Sequence, residues 1–363
     1  GIYGTVDVNH IVVVEAAHHM DNSVYFTDIG EELIAQTGQN GFHFVDEAAP
    51  PALMRALAIE IIKRKLTVAW WTNIRFEKSF SRDLCRLLQA SGCIAVSGGL
   101  EVASDRLLAL IDKGVTVAQV ARVTRNFTEA GILVHAYLMY GFPTQTAQET
   151  IDSLEMVRQL FELGVIQSGF WHQFAMTAHS PVGLSPEKFG VVRENETEGT
   201  FANNDLVHRD PTGADHDRFS YGLKKSLLNY MYGICFEYPL QDWFDFKVPR
   251  TKVPPNYIEM ALLEGESELL KPTTKIVWLG AAPSVSYFTK AKKGQSWEMA
   301  TLSFHTKKET LDLKLSEYIE KQRRATAFEL RYSDTIDPPD EPWERCAQVL
   351  SRRDVAEHLS RGW

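Results

Sequence analysis

The chain has 363 residues, of which 44% are apolar, and carries a formal net charge of −9. That length suits one large α/β domain with an appendage, and the acidic balance, with no Lys/Arg group longer than those at 290–293 and 321–324, argues against a duplex nucleic acid partner. No apolar run approaches the roughly 18 residues of a membrane span and no basic stretch near the start leads into an apolar one, so the expected setting is the cytoplasm, away from membranes.

Short β-rich runs alternate with segments of helical period. Strands are expected at 10–14 (HIVVV), 41–46 (GFHFVD), 67–72 (TVAWWT), 93–97 (CIAVS), 132–140 (ILVHAYLMY) and 166–175 (IQSGFWHQFA). Helices are expected between them at 51–65, at 81–91, at 104–130 with a break at Gly114 and a restart at Thr116, and at 146–163. This alternation implies parallel strands joined by right-handed crossovers, in a (β/α) barrel or a doubly wound sheet. Polar residues or glycines follow each strand: Asp46 and Glu47, Asn73 and Arg75, Gly98-Gly99-Leu100-Glu101, Gly141, and His172 with Thr177. An open sheet would concentrate such groups at one switch point, whereas five successive strand ends favour a barrel rim.

After residue 176 the rhythm breaks. Residues 180–217 are polar and rich in Gly, Pro and Asn, as in a long loop or lid, and a helix is expected over 218–235. PRTKVPPN at 249–256 reads as a linker. Beyond it the charges balance, with 17 basic and 17 acidic residues in 251–363, so the whole acidic excess lies in 1–250. The expected organisation is therefore a barrel over 1–250 and a small α+β domain over 251–363. In that domain KIVWLG and EMATLSFH read as strands, and LKLSEYIEKQRR and PWERCAQVLSRRDVAEHL as helices.

Several of these residues suit chemistry. Asp46-Glu47 at a strand's end could hold a metal or a ligand ammonium group, or cap the helix that starts near Pro50-Pro51. Glu101 after two glycines suits a sugar hydroxyl, or belongs to a plain turn. Arg75 could pair with a carboxylate or lie on the surface. At 141–149 an apolar strand passes through Gly-Phe-Pro into Thr146-x-x-Glu149, a capping box, where a glycine would let a ligand approach free helix amides. His172 and His179 could place a metal or a base on the rim, although two histidines without a third ligand are thin support for zinc. Glu15 and His18 have the spacing of half a diiron motif with no second half. Cys85, Cys93, Cys235 and Cys346 match no zinc, iron–sulfur or redox spacing and read as reduced core thiols. G-x-S-x-G, Walker and G-x-G-x-x-G motifs are all missing.

Taken in chain order, FHFVDEAAPP, WWTNIRFEKSFS, SGCIAVSGGLEVASDRLLALIDKG and AGILVHAYLMYGFPTQTAQET resemble the barrel of radical S-adenosylmethionine (SAM) enzymes over about residues 41–180. The likeness is to the group with cobalamin-binding and methylthiotransferase members. It implies a partial (β/α)6 TIM-like barrel in which a [4Fe-4S] cluster cleaves SAM to a 5′-deoxyadenosyl radical that takes hydrogen from a small-molecule or peptide substrate. On that likeness Asp46 and Glu47 meet the SAM amino group, Glu101 meets the ribose and methionyl portion, and Tyr140, Gly141 and Phe142 lie beside the adenine. Arg75 and His172 join them as cofactor-binding residues. Cobalamin is a further cofactor the resemblance allows, though no residue here points to it. Two departures stand out: Val102 follows Glu101 where the family usually has Ser, and the Cys-x-x-x-Cys-x-x-Cys loop that leaves one iron open for SAM is missing. The chain begins with Gly, so the cluster cysteines are expected upstream of Gly1. A barrel without a cluster that binds a nucleotide-like ligand or a protein partner, and a metal-dependent barrel enzyme using His172 and His179, are the alternative readings.

Overall fold

The computed structural model describes residues 5–6, 12–14, 23–45, 48–194, 204–211, 213–263, 284–304 and 309–314. It divides into two compact units, Gly1–Glu266 and Ser267–Trp363.

The first unit is built on a seven-stranded sheet whose strands lie side by side in chain order: β1 (Thr5–Val6), β2 (Val12–Val14), β3 (Gly41–Phe44), β4 (Ala69–Ile74), β5 (Cys93–Glu101), β6 (Leu133–Tyr140) and β7 (Ser168–Gln173). β1 runs antiparallel to β2, and every later pair is parallel. Between the parallel strands lie α1 (Ser23–Thr37), α2 (Pro51–Lys63), α3 (Arg82–Ala90), α4 (Asp105–Leu110), α5 (Val117–Glu129) and α6 (Ala147–Glu162). Consecutive parallel strands with intervening helices make this a partial TIM-like barrel, which places the C-terminal ends of β5 and β6, with Glu101 and Gly141, along one edge.

Strand alternation sets the two faces of the sheet. In β6, Val134, Ala136, Leu138 and Tyr140 are buried beneath the helices, whereas Leu133 and Tyr137 on the other face are 58% and 39% exposed. Trp70, Val96 and Trp171 join the helix-covered face from β4, β5 and β7. The opposite face of this parallel sheet is open, where a parallel sheet is ordinarily covered on both sides.

The expected break within 104–130 is present, giving α4 and α5. Ser104 and Thr116 each cap one by accepting from the amide three residues on, and Gly114 with a φ of 71° takes the turn between them. α1 is an addition that the sequence reading lacks. Residues 180–217 hold more order than a plain loop: α7 (Pro181–Leu184), a 3-10 turn at Pro186–Phe189, and a β8 (Val192–Arg193)/β9 (His208–Arg209) ribbon. A second 3-10 turn, His216–Phe219, leads into α8 (Ser220–Met231).

The 249–256 stretch is no linker. Asp152 Oδ1 accepts from the Lys252 amide at 2.7 Å and the Thr251 hydroxyl at 2.9 Å, and Gln159 Nε2 donates to the Pro254 carbonyl at 2.8 Å. This strap runs along α6 into α9 (Tyr257–Leu263), whose Ala261 and Leu262 carbonyls accept from Arg122 and Arg125 of α5. The unit therefore ends near Glu266 rather than at 250.

In the second unit β10 (Ser284–Lys292), β11 (Gln295–Phe304) and β12 (Glu309–Lys314) form an antiparallel meander. Lys293 and Gly294, both with positive φ, supply the two-residue turn between β10 and β11 that matches strand twist. EMATLSFH falls largely within β11, whereas Leu313 and Lys314, expected to begin a helix, end β12. KIVWLG and the two C-terminal helices otherwise lie outside the described residues.

Candidate functional site on the open face of the barrel

The end of β5 carries the most constrained geometry on the rim. Gly98 faces the helices, where an added Cβ would lie 2.6 Å from the Phe76 ring. Gly99 faces the open side in register with Tyr137 of β6, which in turn pairs with Phe170 of β7. Two residues on, Glu101 adopts a φ of 58°, a left-handed conformation that is uncommon for a residue with a side chain. The turn folds its carboxylate back over Gly99, where an added Cβ would collide with Glu101 Oε1 and lie 2.8 Å from Lys113 Nζ. Lys113 Nζ donates to that same Oε1 at 2.7 Å, with each side chain 19% exposed. Glu101 Oε2 makes no hydrogen bond among the described residues. Arg75, from the end of β4, donates through Nη2 to the Lys113 carbonyl at 3.1 Å. Arg75 and Glu101 are thus brought together by a lysine that the sequence reading did not include.

The β6–α6 junction differs from expectation. Gly141, with a φ of 79°, does need its missing side chain, because an added Cβ would meet His216 Cβ and Cγ at 3.3 Å. The amides expected to be free are taken. Buried Gln145 accepts from the Gly141 and Phe142 amides at 2.8 and 3.2 Å, Asp210 Oδ2 accepts from the Thr144 amide at 2.6 Å, and the Thr146/Glu149 capping box closes the helix start. Tyr140 is 2% exposed, and Phe142 packs against Phe174 and Phe189 in a separate buried cluster. His216 packs against Gly141, and neither aromatic side chain is exposed, so any contact of an adenine here would be with the backbone.

Burial pushes the His216 imidazole below its usual pKa against the opposing pull of Asp210, Asp215 and Asp217, and neither ring nitrogen makes a hydrogen bond of acceptable geometry. Burial also works to raise the Glu149 carboxyl, but Arg106, with the Thr146 amide and hydroxyl, overrides it and holds the group below the usual carboxylate range.

Below the rim the open face is aromatic and nearly uncharged. His43 stacks on Trp71 with centroids 4.4 Å apart, and His135 Nδ1 lies 2.8 Å from the Ser168 hydroxyl with its ring edge-on to Tyr137. Burial lowers the pKa of both histidines, so they are neutral at neutral pH. Tyr137 and Phe170 are 39% and 55% exposed here. His172 of β7, partly buried, pairs in register with Met139, and His179 lies beyond the strand, exposed. Among the described residues no three His, Cys, Asp or Glu side chains gather to hold a metal. His43 and His135 left a trace in the sequence, as polar residues at alternate positions of GFHF and ILVHAYLMY. Asp46, Glu47, Glu15 and His18 lie outside the described residues.

The three described cysteines do not fit an iron–sulfur cluster. Cys85 and Cys93 are buried beneath the sheet, and burial pushes the Cys93 thiol far above its usual pKa, away from the thiolate a cluster needs. Cys235 is exposed beside Asn229, and Cys346 lies outside the described residues.

Residues 28–157 match the model of the radical SAM superfamily. The chain is 26% identical over 125 residues to an uncharacterized methyltransferase of Pyrococcus horikoshii, an alignment covering 34% of this chain and 27% of that protein. It is 30% identical over 133 residues to the anaerobic magnesium-protoporphyrin IX monomethyl ester cyclase of Rubrivivax gelatinosus, covering 35% and 24%. The chain thus spans about a quarter of the length of the curated relatives it matches. Among solved structures it is similar to the radical SAM methyltransferase TsrM of Kitasatospora setae, determined with cobalamin and a [4Fe-4S] cluster bound, at 18% identity and a TM-score of 0.45, over 58% of this chain and 46% of that one.

Proposed function

We propose, from the match of residues 28–157 to the radical SAM superfamily model, that the open face of the barrel binds the adenosyl portion of SAM with the ribose hydroxyls on Glu101. The observation that supports this most is the carboxylate folded over Gly99, with one oxygen held by Lys113 and the other left to accept. Given one electron from a [4Fe-4S] cluster borne outside these 363 residues, bound SAM would yield methionine and a 5′-deoxyadenosyl radical able to take hydrogen from a substrate. The chain's own residues bind and orient. Gly99 leaves room for a close approach, Arg75 holds the loop that carries Lys113, and Tyr137 and Phe170 give an apolar floor that sheds water when covered. Asp46 and Glu47, which follow β3 in the sequence, complete the reading as the groups proposed to meet the ligand's ammonium. The substrate, a small molecule or peptide, would lie against the neutral His43, Trp71 and His135 side of the same face. The cluster is proposed to rest on cysteines outside these 363 residues. No residue argues for cobalamin. The misfit of the cysteines favours one second reading, a barrel without a cluster that binds a nucleoside and does no radical chemistry.

Titration calorimetry with S-adenosylhomocysteine, which needs no cluster to offer its ribose, tests the binding claim. Glu101→Gln keeps the shape and removes the charge, and should weaken binding by about 1.5–3 kcal/mol, roughly 10- to 150-fold. Unchanged affinity in a variant that melts like the wild type would remove Glu101 from the site.

A further inference from the structure

Lys113 is not accounted for by a carboxylate that merely binds hydroxyls, and its placement is specific. The chain turns through Asp112 and Gly114 on either side of it, both with positive φ (56° and 71°). Its own amide donates to the Leu108 carbonyl at 3.0 Å, and its carbonyl accepts from Arg75. The backbone is therefore held from two directions while the side chain reaches back across 12 residues to Glu101. The ammonium and the carboxylate share the space above Gly99 that any other residue's Cβ would occupy.

We propose that Lys113 is the specificity-determining residue of the Glu101 site: by neutralising the carboxylate it makes the site select a neutral, hydroxyl-bearing group over a cationic one. This rests on the adenosyl-binding reading above. A bare carboxylate on an apolar, partly enclosed face attracts cations more strongly than neutral donors, because the full charge acts through a medium of reduced dielectric. With Lys113 Nζ at 2.7 Å the pair has no net charge, so a ligand's positive centre finds little attraction, while Oε2 still accepts from a hydroxyl. The consequence for a SAM-using enzyme is chemical. SAM carries a sulfonium, whereas its neutral thioether relatives do not, and a naked carboxylate at the ribose position would favour the cation for a reason unrelated to the reacting atoms. Lys113 leaves that discrimination to the rest of the site.

The test is the ratio of affinities for SAM and S-adenosylhomocysteine, which differ by one methyl group and one positive charge, measured by titration calorimetry on the full chain. Lys113→Met should shift the ratio toward SAM on the order of tenfold, the scale of one unit charge acting across several ångströms at an intermediate dielectric. Lys113→Arg, which keeps the charge, should leave the ratio as in the wild type, and Lys113→Gln serves if the methionine variant does not fold. A merely structural lysine would, when replaced, weaken both ligands together, so a variant with the wild-type ratio overturns the proposal. Glu101→Gln separates this from the reading beneath it. If that variant binds the thioether less well while Lys113→Met keeps the wild-type ratio, only the role of Lys113 fails. If Glu101→Gln changes neither affinity, the adenosyl-binding reading falls and takes this inference with it.

Discussion

Gly141→Val is expected to cost about 2–4 kcal/mol of folding stability, read as a fall in the denaturation midpoint at unchanged slope. Two effects add. A β-branched residue at a φ of 79° is strained by about 1–3 kcal/mol. Its Cβ would also press on His216 at 3.3 Å and Gln173 at 3.5 Å, in a region where Gln173 is tied to Asp217 and cannot retreat without losing a 2.7 Å hydrogen bond. Gly141→Asn distinguishes the two, since asparagine tolerates the left-handed region and meets only the contact. It should recover about half the loss. A valine variant as stable as the wild type would mean that the junction is not packed as described. Because His216 occupies the outer side of Gly141, this substitution is expected to act on the fold first. Any loss of ligand binding should track the fraction unfolded.

The second large effect is all or none. After anaerobic treatment with iron and sulfide, the 363-residue chain should retain no [4Fe-4S] cluster, because Cys85 and Cys93 face the core as buried thiols and Cys235 lies exposed without a cysteine partner among the described residues. Iron analysis after desalting is the measurement. About four irons per chain would show that the cysteines gather in a way the described residues exclude. If a longer version containing a Cys-x-x-x-Cys-x-x-Cys loop takes up iron under the same treatment, the radical SAM reading holds. If it takes up none, the cluster-free nucleoside-binding reading replaces it.

The parallel sheet was legible because its strands are short apolar runs with polar punctuation, and the pattern survives in every one from Gly41–Phe44 to Ser168–Gln173. α1 was hard to read: Asp21, Asn22 and Ser23 suit a helix start, but no Glu or Gln three residues on completes a capping box and Gly30 interrupts the run. PRTKVPPN looked like a linker by composition, yet Asp152 and Gln159 of α6 satisfy its backbone groups, a relation between distant residues that no local pattern displays.

The same distinction holds at the candidate site. Glu101 and Arg75 could be named because glycines and strand ends announce them. Lys113 could not, since its meeting with Glu101 depends on left-handed turns at Asp112 and Glu101 themselves. The amides at 141–146 illustrate the opposite error. The strand-to-helix signature was sound and the capping box formed, but Gln145 and Asp210 consume the donors a ligand would have used. Sequence shows which groups are present at a junction, and only the packed fold shows which are already partnered.

The central claim is that an adenosyl ligand lies on the open face of the sheet against Glu101. It is tested most directly by a crystal structure of the chain with S-adenosylhomocysteine bound. The expected result is a ribose whose hydroxyls lie within about 3 Å of Glu101, above Gly99, with Lys113 still on the carboxylate's other oxygen. A ligand bound elsewhere, for instance in the roughly 310 Å³ recess formed by Ser104, Glu149, Asp152, Lys252 and Tyr257, with Glu101 untouched, would contradict it.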